Sequence, residues 1–244
     1  MANDDRPQTR LRWTIPAAAF LALAATFLPI RLHKARLEAP APMYRVATRQ
    51  KVVALTYDDG PHPIYTPKLL KILRRYHVRA TFFMIGSRMA RWPDLVRQAA
   101  REGHVIANHT YTHPNNLENL PRIRIVSELT SEQRLIQRLV GRTYPLFRPP
   151  KGLLNRGLAW IAHMEDYKVV LWSVSAYHHD GRTPELMTRR VLEKVHPGGI
   201  ILMHDGRYPM RWRDVQATPM IIEALKKRGY RFVTVPELLK LRPR

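Results

Sequence analysis

Two adjacent carboxylates, Asp58 and Asp59, stand between an apolar run and a Gly60-Pro61 turn. Carboxylates that share a cleft repel each other, so one of them needs a cation or a proton. Taken alone, Asp-Asp-Gly-Pro reads as readily as a solvated turn. Further along, His109-Thr110-Tyr111-Thr112-His113 sets two imidazoles four residues apart. On a helical turn that spacing puts both rings on one face, where they can grip one ion. Two histidines and one carboxylate make a site with positions left open for water and substrate. Two solvated loop histidines are the bland alternative. The chain has no cysteine, so a metal here must be held by His, Asp or Glu.

The elements that must position these residues alternate between strand and helix. Lys51-Val52-Val53-Ala54-Leu55 reads as a short buried strand ending at the carboxylate pair. Further buried strands are expected at Ala80 to Ile85, at His104 to Ala107, from Leu146, at Val169 to Val174, at Ile200 to Met203 and at Phe232 to Val235. Helices are expected at Thr66 to His77, Pro93 to Glu102, Ile123 to Val140, Leu158 to Met164, Pro184 to Val195, Thr218 to Arg228 and Pro236 to Leu241. Strands that read as continuous apolar runs are buried on both faces and therefore parallel. Seven strand–helix repeats without hairpin signals predict an α/β fold, a closed or nearly closed (β/α) barrel. The alternative, an open doubly wound sheet, lacks its glycine-rich phosphate loop after the first strand. The polar residues fall just after strands, where barrel active sites are built. Arg148 follows the fourth, Ser175 to Asp180 the fifth and His204 the sixth.

With 244 residues and 45% hydrophobic content, the chain is long enough for a large folded domain. Its formal net charge of +22 predicts attraction to anionic surfaces. The basic residues are spread along the chain and no nucleic-acid motif accompanies them, so no specific nucleic-acid partner is expected. Trp13 to Ile30 carries no charge and is just long enough to span a membrane. Residues 1–37 therefore read as a basic N-terminus with a hydrophobic anchor or signal segment, an uncleaved anchor being favoured. Residues 38–49, with Pro40 and Pro42, read as a linker, and 50–244 as the catalytic domain.

Thr56-Tyr57-Asp58-Asp59-Gly60, His109 to His113, Arg148-Pro149-Pro150 and Leu202-Met203-His204 together resemble the ordered motifs of the polysaccharide deacetylases, the NodB-homology domains of carbohydrate esterase family four. The resemblance covers roughly residues 50–240 and implies a distorted (β/α) barrel of seven repeats with parallel strands. It implies that Asp58 is the general base, that Asp59, His109 and His113 bind the metal, and that Arg148 holds the base by an ion pair. It implies that His204 is the general acid and that the backbone N–H of Lys151 helps to hold the oxyanion. Leu202 matches the residue lining the pocket for the acetyl methyl, and Pro149, Pro150 and Trp172 are expected beside it. The implied metal is zinc, with cobalt or nickel as substitutes. An arginine beside Asp58 is expected to depress its pKa, and a histidine titrating near neutrality suits the acid role.

The chain departs from the resembled pattern in two places. Lys151 stands where the family has a tyrosine, and Ser175, His178 and His179 stand where it has an aspartate and an Asp-Trp pair. Asp180 is the nearby carboxylate that could orient His204. Asp205 is expected to be structural, and Trp92, Tyr208 and Trp212 are expected in loops. The expected activity is removal of N-acetyl groups from an N-acetylglucosamine polymer by a monomer, anchored or exported, acting on the outer side of the membrane. The alternatives are O-deacetylation of xylan, deformylation of an amino sugar, and an inactive glycan-binding protein.

Overall fold

The first strand, β1 (Val52–Asp58), is buried at every position, which is what an unbroken apolar run demands of a strand covered on both faces. The structure, a computed structural model, describes residues 39–177, 183–207 and 209–241. The expected anchor or signal at 1–37 lies outside the described residues. Among the described residues, no helix is long and apolar enough to cross a membrane. The stretch expected as a linker is tied to the sheet. Met43 N donates to Val169 O at 2.8 Å and Val46 N to Gly198 O at 2.9 Å, and both side chains are buried.

The remaining strands are β2 (Thr81–Met84), β3 (Val105–Asn108), β4 (Leu146–Phe147), β5 (Lys168–Val169), β6 (Val174–Ser175), β7 (Gly199–His204) and β8 (Arg231–Val233). They form one curled, half-barrel sheet in the order β5-β4-β3-β2-β1-β7-β6, with β8 added to β1. Every pairing is parallel. One side of β1 is shared, β8 pairing with Val52 to Ala54 and β2 with Thr56 to Asp58. The register of β1 against β7 sets Asp58 directly opposite His204.

Eight α-helices are described: α1 (Tyr65–Arg75), α2 (Gly86–Arg91), α3 (Pro93–Arg101), α4 (Arg122–Val140), α5 (Arg156–Met164), α6 (Pro184–Lys194), α7 (Trp212–Lys227) and α8 (Val235–Leu239). Their apolar stripes cover the sheet; α1, for instance, buries Leu69, Leu70 and Leu73. Asn155 and Thr183 cap α5 and α6 by accepting from Leu158 N and Leu186 N.

Two expectations need correction. The fifth strand, expected as one piece over Val169 to Val174, is broken into β5 and β6 at the two ends of the sheet. The reason is Arg148, whose Nε and Nη2 donate to Val170 O and Leu171 O, each at 3.0 Å. The guanidinium thus takes carbonyls that a continuous ladder would have used. The second correction is α7, which begins at Trp212 rather than Thr218. Pro219 looks like a first-turn proline but lies inside the helix. Trp212 is therefore the first helical residue, not a loop aromatic. Helix α2 had no signal strong enough to be expected.

Candidate active site

The site is built at the carboxyl ends of β1, β3, β4 and β7. Asp58 is the last residue of β1, and Asp59 follows at φ 73°. That left-handed step, which aspartate tolerates better than most residues, lets both carboxylates face one cleft. The approach of the neighbouring turn is equally tight. A Cβ on Gly60 would lie 2.3 Å from Asp205 Oδ1, and one on Gly206 would lie 2.0 Å from Asp59 O. Glycine is required at both positions, and the contact fixes the β1 turn against the β7 turn. Asp205 is fully buried and accepts from Thr66 Oγ1 at 2.5 Å, with burial pushing its carboxyl up to about 7. Its expected structural role agrees with this placement.

Arg148 is wholly buried and ties three elements together. Its Nη1 donates to Asp58 Oδ1 at 2.7 Å and to Thr56 Oγ1 at 2.9 Å, and its guanidinium lies 4.0 Å above the Phe83 ring. Arg148 lowers the Asp58 pKa as expected, but the net shift is upward. Burial lifts the Asp58 carboxyl above its ordinary value, and the guanidinium only partly opposes this. A carboxylate raised in this way is a better proton acceptor than a solvated one.

Asp59 Oδ1 lies 3.5 Å from His109 Nε2 and 3.3 Å from His113 Nε2, and all three residues are buried. One ligand atom from each lies within 4.8 Å of the others, which is the span of a single coordination shell. His109 Nδ1 is 2.7 Å from the Arg148 carbonyl. That contact puts the proton on Nδ1 and leaves the Nε2 lone pair for an ion, as ligating histidines require. The donor set therefore fits a divalent metal. Burial works against the charge on Asp59, but the imidazoles of His109 and His113 against it hold its carboxyl well below the ordinary range.

The two histidines do not meet on a helical turn, as their spacing suggested. Residues 109–113 form a loop, with Thr110 at φ 68° and His113 at φ 58°. Helix α4 holds it in shape through two buried acids that the motifs did not reveal. Glu132 accepts from His109 N at 3.0 and 3.2 Å through its two oxygens. Glu128 accepts from Thr112 N and Thr112 Oγ1, each at 2.7 Å. The signal was present in the sequence: both glutamates fall on the apolar stripe of α4, beside Ile125, Leu129, Leu135 and Ile136.

The cleft above these residues has a volume of about 240 Å³. Lys151, Trp172, Ser175, Leu202 and His204 line it. Pro149 and Pro150 are buried and shape the turn that carries Lys151 at φ 58°; they are not among the lining residues. Trp172 packs over Gly152, where a Cβ would lie 2.6 Å from its ring. His178, His179, Asp180 and Tyr208 lie outside the described residues.

His204 is set by groups that the sequence reading missed. Its backbone N donates to Asp214 Oδ1 at 2.9 Å, and its ring stands edge-on to Tyr177 at 4.7 Å between centroids. Tyr177 O–H donates to the same Asp214 oxygen, and Arg211 Nη1 donates to Tyr177 Oη at 3.1 Å. Arg211 Nη2 reaches Asp59 Oδ2 at 3.3 Å. This network links the first residue after β1 to the end of β7. Missing it follows from placing the start of α7 too late, because Arg211 caps that helix and Asp214 lies in its first turn. His204 Nδ1 is buried without a hydrogen-bond partner among the described residues. Burial, and then Arg211, push the ring well below its ordinary pKa, not near neutrality as expected.

Comparison with known proteins agrees with this geometry. Residues 45–170 match the family described as polysaccharide deacetylase. A peptidoglycan-N-acetylglucosamine deacetylase of Bacillus cereus is 40% identical over 199 residues, covering 81% of this chain and 92% of the relative. A chitooligosaccharide deacetylase of Azorhizobium caulinodans is 31% identical over 203 residues, covering 79% of this chain and 96% of the relative. The crystal structure of a peptidoglycan N-acetylglucosamine deacetylase with 4-naphthalen-1-yl-N-oxidanyl-benzamide superposes with a TM-score of 0.77 at 33% identity, covering 86% of this chain and 97% of that one. The carboxylate pair, the two histidines and the buried arginine all lie inside the matched segment, so the chain belongs to the polysaccharide deacetylase family.

Proposed function

We propose that the protein is a metal-dependent hydrolase that removes N-acetyl groups from N-acetylglucosamine-containing glycans, peptidoglycan or chitooligosaccharide, and releases acetate. The observation that carries this reading is the convergence of Asp59, His109 and His113 beside the Asp58–Arg148 pair, with His204 opposite Asp58 in register. The named activities of the relatives support the choice of substrate. Zinc suits two imidazole nitrogens and one carboxylate oxygen with an open position, and cobalt or nickel would fit the same set. When bound, such an ion polarises the amide carbonyl and lowers the pKa of water towards about 7.

The rest of the chemistry falls to the chain. Asp58 takes the proton from the attacking water, its raised pKa making it a competent base and Arg148 keeping its carboxylate aimed. The Lys151 backbone N–H, held in the turn after β4, helps to bind the developing oxyanion. Leu202 and Trp172 enclose the acetyl methyl. His204 delivers a proton to the departing nitrogen. Its ring is neutral in the resting site, so the proton it delivers must first reach it, from solvent or from Asp58 opposite, which has taken one from the attacking water; the negative charge of the tetrahedral species beside the ring favours that transfer. We further infer that the half-barrel is a distorted seven-repeat (β/α) barrel, with β5 and β6 the halves of one strand position. On this reading residues 50–244 form the catalytic domain together with the preceding segment that Met43 and Val46 tie to its sheet. It works as a monomer on the outer side of the membrane, after export or on an N-terminal anchor.

Purified protein should release acetate from peptidoglycan and chitooligosaccharides, lose the activity with a chelator and recover it with zinc. Metal-replete protein that releases no acetate from any N-acetylated glycan would overturn the proposal.

A further inference from the structure

Because every strand pairing is parallel, the domain has two unlike ends. The catalytic cleft opens where the strands finish. The end where they begin carries two features that the chemistry does not use. The first is a cluster of cations. Lys51 precedes β1, Lys226, Lys227 and Arg228 close α7, and Arg231 opens β8. All five are exposed, and none makes an ion pair among the described residues. Their hydrogen bonds go to neutral acceptors: Lys51 Nζ to Arg228 O at 3.0 Å, Lys226 Nζ to Tyr76 O at 2.6 Å, Arg231 Nη2 to Gln50 Oε1 at 3.2 Å, and Arg228 Nη1 to Leu192 O. Acids on nearby elements are already engaged, Glu102 by Arg74, Glu237 by Arg79 and Glu223 by the Tyr76 O–H. The dipole of α7 accounts for Lys226 and Lys227 in its last turn, but Lys51 and Arg231 stand at strand starts, where no helix end draws them. Lys226 and Arg231 line an open hollow of about 420 Å³ together with His77 and Tyr230.

The second feature is an apolar groove of about 440 Å³, lined by Met43, Tyr144, Leu146, Val169, Pro236 and Leu239. At its edge Asp166 and Lys168 offset each other, and the next residue after His163 in its lining, Met164, is 51% exposed. Helix α8 joins the two features, because it gives Pro236 and Leu239 to the groove while its Glu237 holds Arg79, two residues from His77 of the hollow. Apolar side chains beside unpaired cations suit a lipid headgroup layer, where the apolar groups enter the layer and the cations meet phosphates. A soluble polyanion would use the cations and leave the groove unfilled. The chain also enters the domain here. Pro40 and Ala41 line the groove, and only residues 31–38 separate Ala39 from the uncharged run Trp13 to Ile30 in the sequence. We infer that the strand-start end of the domain docks on an anionic phospholipid surface through these five cations and the apolar groove. Roughly 23 Å of β1 separates Lys51 from Asp58, so a domain docked in this way turns its cleft away from the lipid.

The chain has no cysteine, so a single fluorophore can be placed at will. Full-length Lys227→Cys, labelled at the docking end, and full-length Ser87→Cys, labelled on α2 at the cleft end, are mixed with vesicles carrying a nitroxide on the lipid headgroup. The vesicles are phosphatidylcholine alone or phosphatidylcholine with phosphatidylglycerol. The label at 227 should be quenched and the label at 87 spared. Quenching should need phosphatidylglycerol and fade as sodium chloride rises. Adding Lys51→Gln or Arg231→Gln should each lower the ratio of docked to undocked protein about fivefold, with melting temperature checking that the variants fold. If a variant fails to fold, the lipid and salt comparisons on the two labelled proteins still decide. Equal quenching at both positions, no quenching at 227, or quenching at 227 that ignores phosphatidylglycerol overturns the docking face. A response of the 227 label to soluble polyphosphate but not to vesicles assigns the cations to a soluble polymer and also overturns it. Quenching reads position and not acetate release, so the inference stands or falls apart from the hydrolase reading.

Discussion

Replacing Arg148 with lysine should separate its two duties. The guanidinium makes four hydrogen bonds: to Asp58 Oδ1, Thr56 Oγ1, Val170 O and Leu171 O. Lysine can keep the charge contact with Asp58, but its single nitrogen cannot also reach the two carbonyls where the sheet breaks between β5 and β6. Each buried carbonyl left unpaired costs about 1–3 kcal/mol. Two of them put the loss at roughly 3–4 kcal/mol, a large part of the 5–15 kcal/mol that stabilises a typical domain. For a chain of this size that corresponds to a fall in melting temperature of roughly 6–16 °C. Thermal and urea melts of Arg148→Lys measure the loss, and hydrogen exchange locates it. The amides of Val170 and Ser173, which donate to Phe147 O and Ile200 O across the break, should lose protection first. A variant that loses acetate release but melts within about 2 °C of wild type, with those amides still protected, would refute the claim that Arg148 holds the break together.

Three further outcomes are expected. Glu132→Ala leaves the buried His109 N–H unpaired and frees the ligand loop, so zinc affinity measured by chelator competition should fall about tenfold or more, with Glu132→Gln recovering part of it. Gly206→Ala drives a Cβ into the Asp59 carbonyl; it should lower the melting temperature and weaken zinc binding together, because the backbone that must shift belongs to a proposed ligand. His104, buried at the start of β3 and accepting from Ala80 N, has its pKa pushed down to about 4 by burial. The unfolded chain therefore binds a proton below its ordinary value near 6.5, while the folded chain does so only near 4. Stability should fall as pH drops through that window, by about 3 kcal/mol in all, and urea titrations of His104→Gln should show a flatter profile there.

What could be read from the sequence depended on how far each signal was local. The strands leading to Asp58 and His109 were legible because their burial on both faces is written as apolar runs. The metal-ligand trio was legible because its residue types are rare in combination, although its geometry was not. The histidine spacing implied a helical turn, whereas left-handed residues in a loop bring the rings together. Long-range effects left no local mark. Nothing in Val169 to Val174 announces a break, since the break is made by an arginine from the preceding repeat. Arg211 and Asp214 were hidden by Pro219, which imitates a helix start. The pKa of His204 was misjudged for a similar reason. Its ring is neutral because Arg211 and burial outweigh Asp59, and all three influences arrive from distant parts of the chain. The chemistry was thus readable as a set of residues, while the electrostatic poise of those residues is a property of the packed fold.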